Sequence, residues 1–289
     1  MTARDLLETW LFRAVGPESR AWYVDVRDRI AAGSTKDLYL ALGLAPRKLG
    51  KDALGLDRDD LARARAARPG WDPRDWGIDQ AARVALLLTL AERDPHGFPD
   101  QFETLITTGD VGEQVAFYKG LPLYPEPARL LGRASEGARS NMQALFEAVA
   151  HRNPYPAEQF SELAWNHMVL KALFVGSALH PIQQLDARAN AEQARMLCDF
   201  AEERWSAGRD VSPEIWRCVS VAPDARVLDD LAGALDRGEV GGARGAALAL
   251  HAIGTDTAAA IMADKAPGLK RAIADGTLTW DTVAAELGP

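Results

Sequence analysis

A chain of 289 residues that is 47% hydrophobic has ample material for one large core or two modest ones. Its 41 acidic residues against 33 basic ones leave a formal charge of −8, which argues against capture of nucleic acid or anionic lipid, since both draw on many Lys and Arg contacts to phosphate. No apolar run approaches the ~20 residues of a membrane span, and the two cysteines, Cys198 and Cys218, each lie inside an apparent helix. The expectation is a cytoplasmic protein with two buried thiols, no membrane insertion and no nucleic-acid partner.

The start, MTARDLLETWLFRAV, mixes acids into its apolar run and lacks a small-residue cleavage site, so it reads as an amphipathic helix and not a signal peptide. Helical periods recur in SRAWYVDVRDRIAAG, DQAARVALLLTLAERD, EGARSNMQALFEAVAH, AEQARMLCDFAEERWSAG and ARVLDDLAGALDRG, where apolar residues fall three and four apart. LDRDDLARAR reads as a cap followed by acids in the first turn, and Asp229-Asp230 as a solvated helix face. Between them, AARPGWDPRDWG has no helical spacing but two tryptophans, Trp71 and Trp76, which predicts a packed loop. Gly33, Gly109, Gly208, Gly238, Gly254 and Gly276 follow helical runs as left-handed caps; Asn190 with Gln193 resembles a capping box, and Ser212-Pro213 a helix start. No strand alternation is convincing. Helices joined by short loops must stack as hairpins, so the predicted fold is all-α: layered helical hairpins, solenoid-like in the HEAT manner. From about residue 221 small side chains dominate, which predicts tight helix pairs and places a C-terminal helical extension, 221–289, beside a helical domain, 1–220.

Motifs for chemistry are sparse. There is no P-loop, no paired-glycine dinucleotide turn and no serine nucleophile elbow, and the five histidines never fall four apart on one helix, so neither a metal nor a cofactor is expected. Misplaced polar groups carry more information. In WNHMVLKALF, residues 165–174, the angular positions put Asn166 among Leu163, Leu170 and Leu173, where it either fastens an adjacent loop or lines a pocket. His167 and Lys171 form a narrow strip facing water or a cavity. Trp165 is expected near Trp205 on the next helix. Arg204 continues the apolar stripe of Ala194, Leu197, Phe200 and Ala201, so it needs a carboxylate, with Asp186 the natural mate, or an anionic ligand. Arg217 beside Trp216 repeats the pairing of guanidinium with aromatic, and a wall of Trp165, Trp205, Arg204 and Arg217 would suit an aromatic or acidic small molecule.

These stretches also resemble a family. RNPYPAEQFSELAWNHMVLKALFVGSAL, then LDARANAEQARMLCDFAEERWSAGRDVSPEIWRCV, with ARPGWDPRDWGIDQAARVALLL upstream, is similar to the EboA family over roughly residues 1–220. The resemblance implies a bacterial cytoplasmic protein encoded in gene clusters for production or movement of secondary metabolites, the precursor of scytonemin among them. It implies neighbours that include a UbiA-type prenyltransferase, a sugar-phosphate-cyclase-like enzyme and metal-dependent barrel enzymes, but no reaction. Two functions follow as expectations. One is a protein that binds a small metabolite or a partner enzyme and assists biosynthesis or traffic to the membrane; the other is a cofactor-independent enzyme on a cyclitol, prenylated or indolic intermediate, with Lys171, His167 or Asp186 as acid and base. The ligand-binding candidates are His167, Lys171, Asn166, Asp186, Arg204, Arg217 and Trp205.

Overall fold

The computed structural model describes residues 1–287, and among them the chain is all-helical, as the sequence implies; one isolated bridge pairs Ala53 with Gly77. By contact it divides into two compact units, Met1–Ser161 and Glu162 onward, a cut well before the composition change near residue 220.

The first unit runs α1 (Ala3–Ala14), α2 (Pro17–Ala31), α3 (Thr35–Leu49), α4 (Arg58–Ala67), α5 (Ile78–Arg93), α6 (Phe98–Thr108), α7 (Val111–Lys119), α8 (Leu131–Gly137), α9 (Gln143–Ala150) and α10 (Tyr155–Gln159). It is gathered around α5, which packs against α1, α2, α3 and α7. The reason is compositional: α5 is apolar on nearly every side and, apart from the half-buried Gln80, is buried from Ile78 to Ala91, as a helix without a polar face must be. Capping boxes fix the entries of α1, α4 and α7 through Thr2 with Asp5, Asp57 with Asp60, and Asp110 with Glu113, each worth about 1 kcal/mol. Asp60 does more than cap. It is buried, accepts from Trp10 Nε1 at 2.8 Å and pairs with Arg13, tying α4 to α1. Trp71 packs at a tilt against Trp10, 5.5 Å between rings, and edge-on against Trp76 at 6.0 Å, so the tryptophan loop is packed as expected.

Two expectations in this unit need correction. EGARSNMQALFEAVAH is not one helix: α8 ends at Gly137 and α9 begins at Gln143, with Ser140 Oγ accepting from Met142 N in the break. A Cβ at Gly137 would collide with Val149 and Tyr118, so the chain turns where it can pass closest to them. Gly109 is not left-handed, with φ −71°, because α7 starts at once with Asp110 as its cap.

The second unit runs α11 (Glu162–Val175), α12 (Ala191–Ser206), a 3₁₀ helix (Pro213–Val221), α13 (Ala225–Arg237), α14 (Ala243–Ile253), α15 (Asp256–Lys265), α16 (Pro267–Ala274) and α17 (Trp280–Leu287). Successive helices α13 to α16 pack pairwise, and α14 lies against the 3₁₀ helix. The small residues there allow close approach: a Cβ on Gly245 would overlap the Pro213 carbonyl. Cys198 and Cys218 are both buried and free. Two sequence readings fail here. Asp230 is not solvated; it lies with Val227, Leu231 and Ala234 on the buried face of α13, and burial pushes its carboxyl up to about 6. Asn190 caps α12 by accepting from Gln193 N at 2.9 Å, but Gln193 does not reciprocate, and both of its amide atoms are buried without a partner.

Candidate functional site: a cleft on the central helix

The residues singled out on α11, α12 and the 3₁₀ helix go mostly into joints. Asn166 and Asn190 exchange two amide hydrogen bonds, at 3.0 and 2.9 Å, so Asn166 fastens α11 to the cap of α12 through a side chain. Trp165 is fully buried with the Arg188 guanidinium 4.5 Å over its ring, and burial lowers the Arg188 pKa. Trp205 stacks instead on Trp216 at 5.7 Å and carries Arg237 at 4.2 Å. Asp186 pairs with Arg217 instead of Arg204, in a two-point contact at 2.7 and 2.9 Å that raises the Arg217 pKa. Arg217 also lies 5.7 Å from the Trp280 ring. Arg204 is half-buried, and its Nε donates to the Asp210 carbonyl at 2.6 Å. The expected wall of Trp165, Trp205, Arg204 and Arg217 is thus dispersed over separate partners. His167 is exposed, and Lys171 holds its ammonium 5.1 Å from the Phe174 ring.

Other members of the same stretches are structural knots. Asn153 donates to the Tyr118 and Ala148 carbonyls, both at 3.1 Å, and accepts from Tyr155 N at 3.0 Å. Glu214, unmarked by the sequence reading, is a buried carboxylate that accepts from Leu179 N at 2.6 Å and His180 N at 2.7 Å, pinning the loop after α11.

A larger concavity lies in the first unit, with a volume of about 950 Å³. Its floor is the first turns of α5, its rim the loop 74–77 and the start of α7, and α3 contributes Gly43 and Pro46. The local folding explains the shape. Segment 51–54 runs beside 76–78, with Leu54 N bonding to the Trp76 carbonyl and Ile78 N to the Asp52 carbonyl, both at 2.9 Å. Gly77 sits in this crossing, where a Cβ would come within 3.3 Å of the Lys51 carbonyl.

The polar floor is built, not incidental. Arg83 is buried on the apolar central helix; its Nη1 donates to Asp79 at 2.7 Å and to the Gly112 carbonyl at 3.3 Å, and its Nε to the Leu42 carbonyl at 3.0 Å. One side chain thereby joins α3, α5 and α7. Gln80 accepts from its own cap residue Gly77 and from Lys119, whose ammonium also donates to the Asp75 carbonyl at 3.0 Å. Burial holds the Lys119 pKa below its ordinary value. Asp75 pairs with Arg152 at 2.6 Å, and Arg74 with Asp72. Of the six charged residues lining the cleft, Lys51, Arg74 and Arg83 balance Asp75, Asp79 and Asp110, and Val111, Val115 and Trp76 supply apolar surface. The sequence did carry a signal: an Asp and an Arg four apart on a helix otherwise without a polar face.

Fold and cleft together define an all-helical protein with a ligand-sized recess on a hydrogen-bonded polar floor. Residues 3–220 match the family model described as metabolite traffic protein EboA, and the chain belongs to the EboA family. The matched span takes in the α5 cleft, the Asn166–Asn190 joint and Arg204, and stops before α13. No curated protein and no solved structure matches the chain. Among the described residues no helix is long and apolar enough to cross a membrane, and no group of three or more acidic, His or Cys residues is placed to hold a metal ion.

Proposed function

We propose that this protein binds a small secondary metabolite in the α5 cleft and carries it between the steps of its pathway, without converting it. The observation that supports this reading is the Arg83 network. Its charged and amide groups are committed to one another and to backbone carbonyls, an arrangement that holds a shape for a ligand better than it moves protons. The volume suits one drug-sized molecule, and the balanced charge favours a ligand that is neutral overall with both donors and acceptors. The family description, metabolite traffic, agrees with a carrier. Enzymes of the same gene clusters, a UbiA-type prenyltransferase among them, are the receiving partners in this reading, and delivery is toward the membrane. Catalysis by Lys171, His167 or Asp186 gains less support: both Asp186 oxygens are taken by Arg217, and neither His167 nor Lys171 lines the α5 cleft.

The test is native mass spectrometry of the full chain after incubation with an extract of cells that encode it. Val115→Trp should fill the cleft from α7. The expected result is a small molecule retained by the wild type and lost from the variant at unchanged melting temperature; retention by both, or by neither, would overturn the assignment.

A further inference from the structure

The second unit holds a smaller recess, of about 400 Å³, where the end of α11 faces the last turns of α12 and the start of the 3₁₀ helix. Two features of its wall are unusual. Phe174 is 69% exposed, on a stripe of α11 that also carries Leu163 at 63%. Phe174 lines the recess, so its exposed ring face is available to a ligand held there. Facing it is Arg204, which the sequence places on an apolar stripe and which has no carboxylate partner among the described residues.

The guanidinium is nonetheless oriented. Its Nε is held by the Asp210 carbonyl at 2.6 Å, and its carbon lies 5.9 Å from the Phe200 ring one turn earlier on α12. Its two Nη groups make no hydrogen bond or ion pair among the described residues. Ser212, in the same wall, accepts from Glu214 N at 3.4 Å through its hydroxyl oxygen, which leaves the O–H to donate. Val211 and Ile215 give the recess an apolar floor. A pre-oriented guanidinium edge and a hydroxyl donor above apolar surface complement a carboxylate carried on a flat ring, by two parallel N–H···O bonds and face contact with Phe174.

We infer that this recess is a second small-molecule site, independent of the α5 cleft, which takes an aromatic carboxylate through Arg204. Asp210 also lines it, and its carboxylate is a like charge to the ligand, so a neutral replacement at this position should tighten binding.

The probe is 2-naphthoate, titrated into the full chain and followed by its fluorescence, with uncharged 2-naphthamide as control. The wild type should bind the acid with Kd below ~1 mM and the amide at least ~tenfold more weakly. Arg204→Met should bring the acid to the level of the amide, Arg204→Lys should retain part of the difference because charge survives without the fork, and Asp210→Asn should tighten the acid. Circular dichroism and melting temperature certify each variant. Should Arg204→Met fail to fold, the opposite shifts of Arg204→Lys and Asp210→Asn decide. Absence of binding at ~10 mM, equal binding of acid and amide, or unchanged affinity in the Arg204 variants would overturn the site. Val115→Trp, which fills the α5 cleft, should leave naphthoate binding unchanged; loss of binding there would place the acid in the other cleft and overturn this one.

Discussion

Arg83→Ala tests whether the floor of the α5 cleft holds the first unit together. Arg83 is 2% exposed and serves Asp79 and two backbone carbonyls on α3 and α7. Removing one partner of a buried pair strands the other, which costs about 3–5 kcal/mol. The two carbonyls add little to this if water follows the lost side chain in from the cleft. For a unit of this size each kcal/mol moves the melting temperature by about 2–4 °C, so the expected fall is about 6–20 °C. Arg83→Met should be nearly as costly, since Asp79 stays unpaired, whereas Arg83→Met with Asp79→Leu should recover most of the loss by replacing both charges with apolar volume. Urea unfolding followed by tryptophan fluorescence reads all three, because Trp10, Trp71 and Trp76 are buried in the same unit. A cost below about 1 kcal/mol for Arg83→Ala, or a double variant no better than the single, would refute the account of the floor.

Asp230 should make stability depend on pH. Its folded-state carboxyl titrates near 6, above the ordinary carboxylate range, so the folded chain holds this proton more tightly than the unfolded chain. Its contribution is therefore favourable at low pH and lost as pH rises through about 6. Asp230→Asn should be more stable than the wild type at pH 8, with the advantage fading by about pH 4; urea midpoints at several pH values check it, and an advantage independent of pH would contradict the titration. Asn166→Ala should cost about 2 kcal/mol by breaking both amide bonds to Asn190, and a double-mutant cycle with Asn190→Ala should show coupling of at least ~0.5 kcal/mol. Gly245→Ala should destabilise, although glycine to alanine within a helix ordinarily stabilises by about 1 kcal/mol, because the new methyl meets the Pro213 carbonyl. Stabilisation in thermal melts would show that α14 can withdraw from the 3₁₀ helix at little cost.

The parts of the fold legible in sequence were those governed by neighbours along the chain. Helical periods, the caps at Asp57 and Asn190 and the burial of Trp71 and Trp76 follow from local spacing and from the area of an indole ring. An amide on an apolar face must find partners, so Asn166 was identifiable as a joint or a pocket residue; that it is a joint, and that the Asn190 side chain is its partner, depends on where α12 begins. Pairings across loops were not legible. Asp186 lies 18 residues before Arg204 in sequence but bonds Arg217, because the direction of the chain after α12 sets which guanidinium reaches it. Asp230 was misread since adjacent acids look solvated until the angle of α13 is known. The α5 cleft was missed for a similar reason. Asp79 and Arg83 have the spacing of an ordinary surface ion pair, and only the packing of α5 against α1, α2, α3 and α7 turns that pair into a floor.

Hydrogen–deuterium exchange on the full chain, with and without the extract fraction that it retains, tests the central claim most directly. Binding in the α5 cleft predicts slowed exchange in residues 51–54, 74–80 and 110–115, the segments that form its rim and floor, with no such protection in Val115→Trp. Protection confined to residues 173–176 and 204–215, or none in either unit, would contradict it.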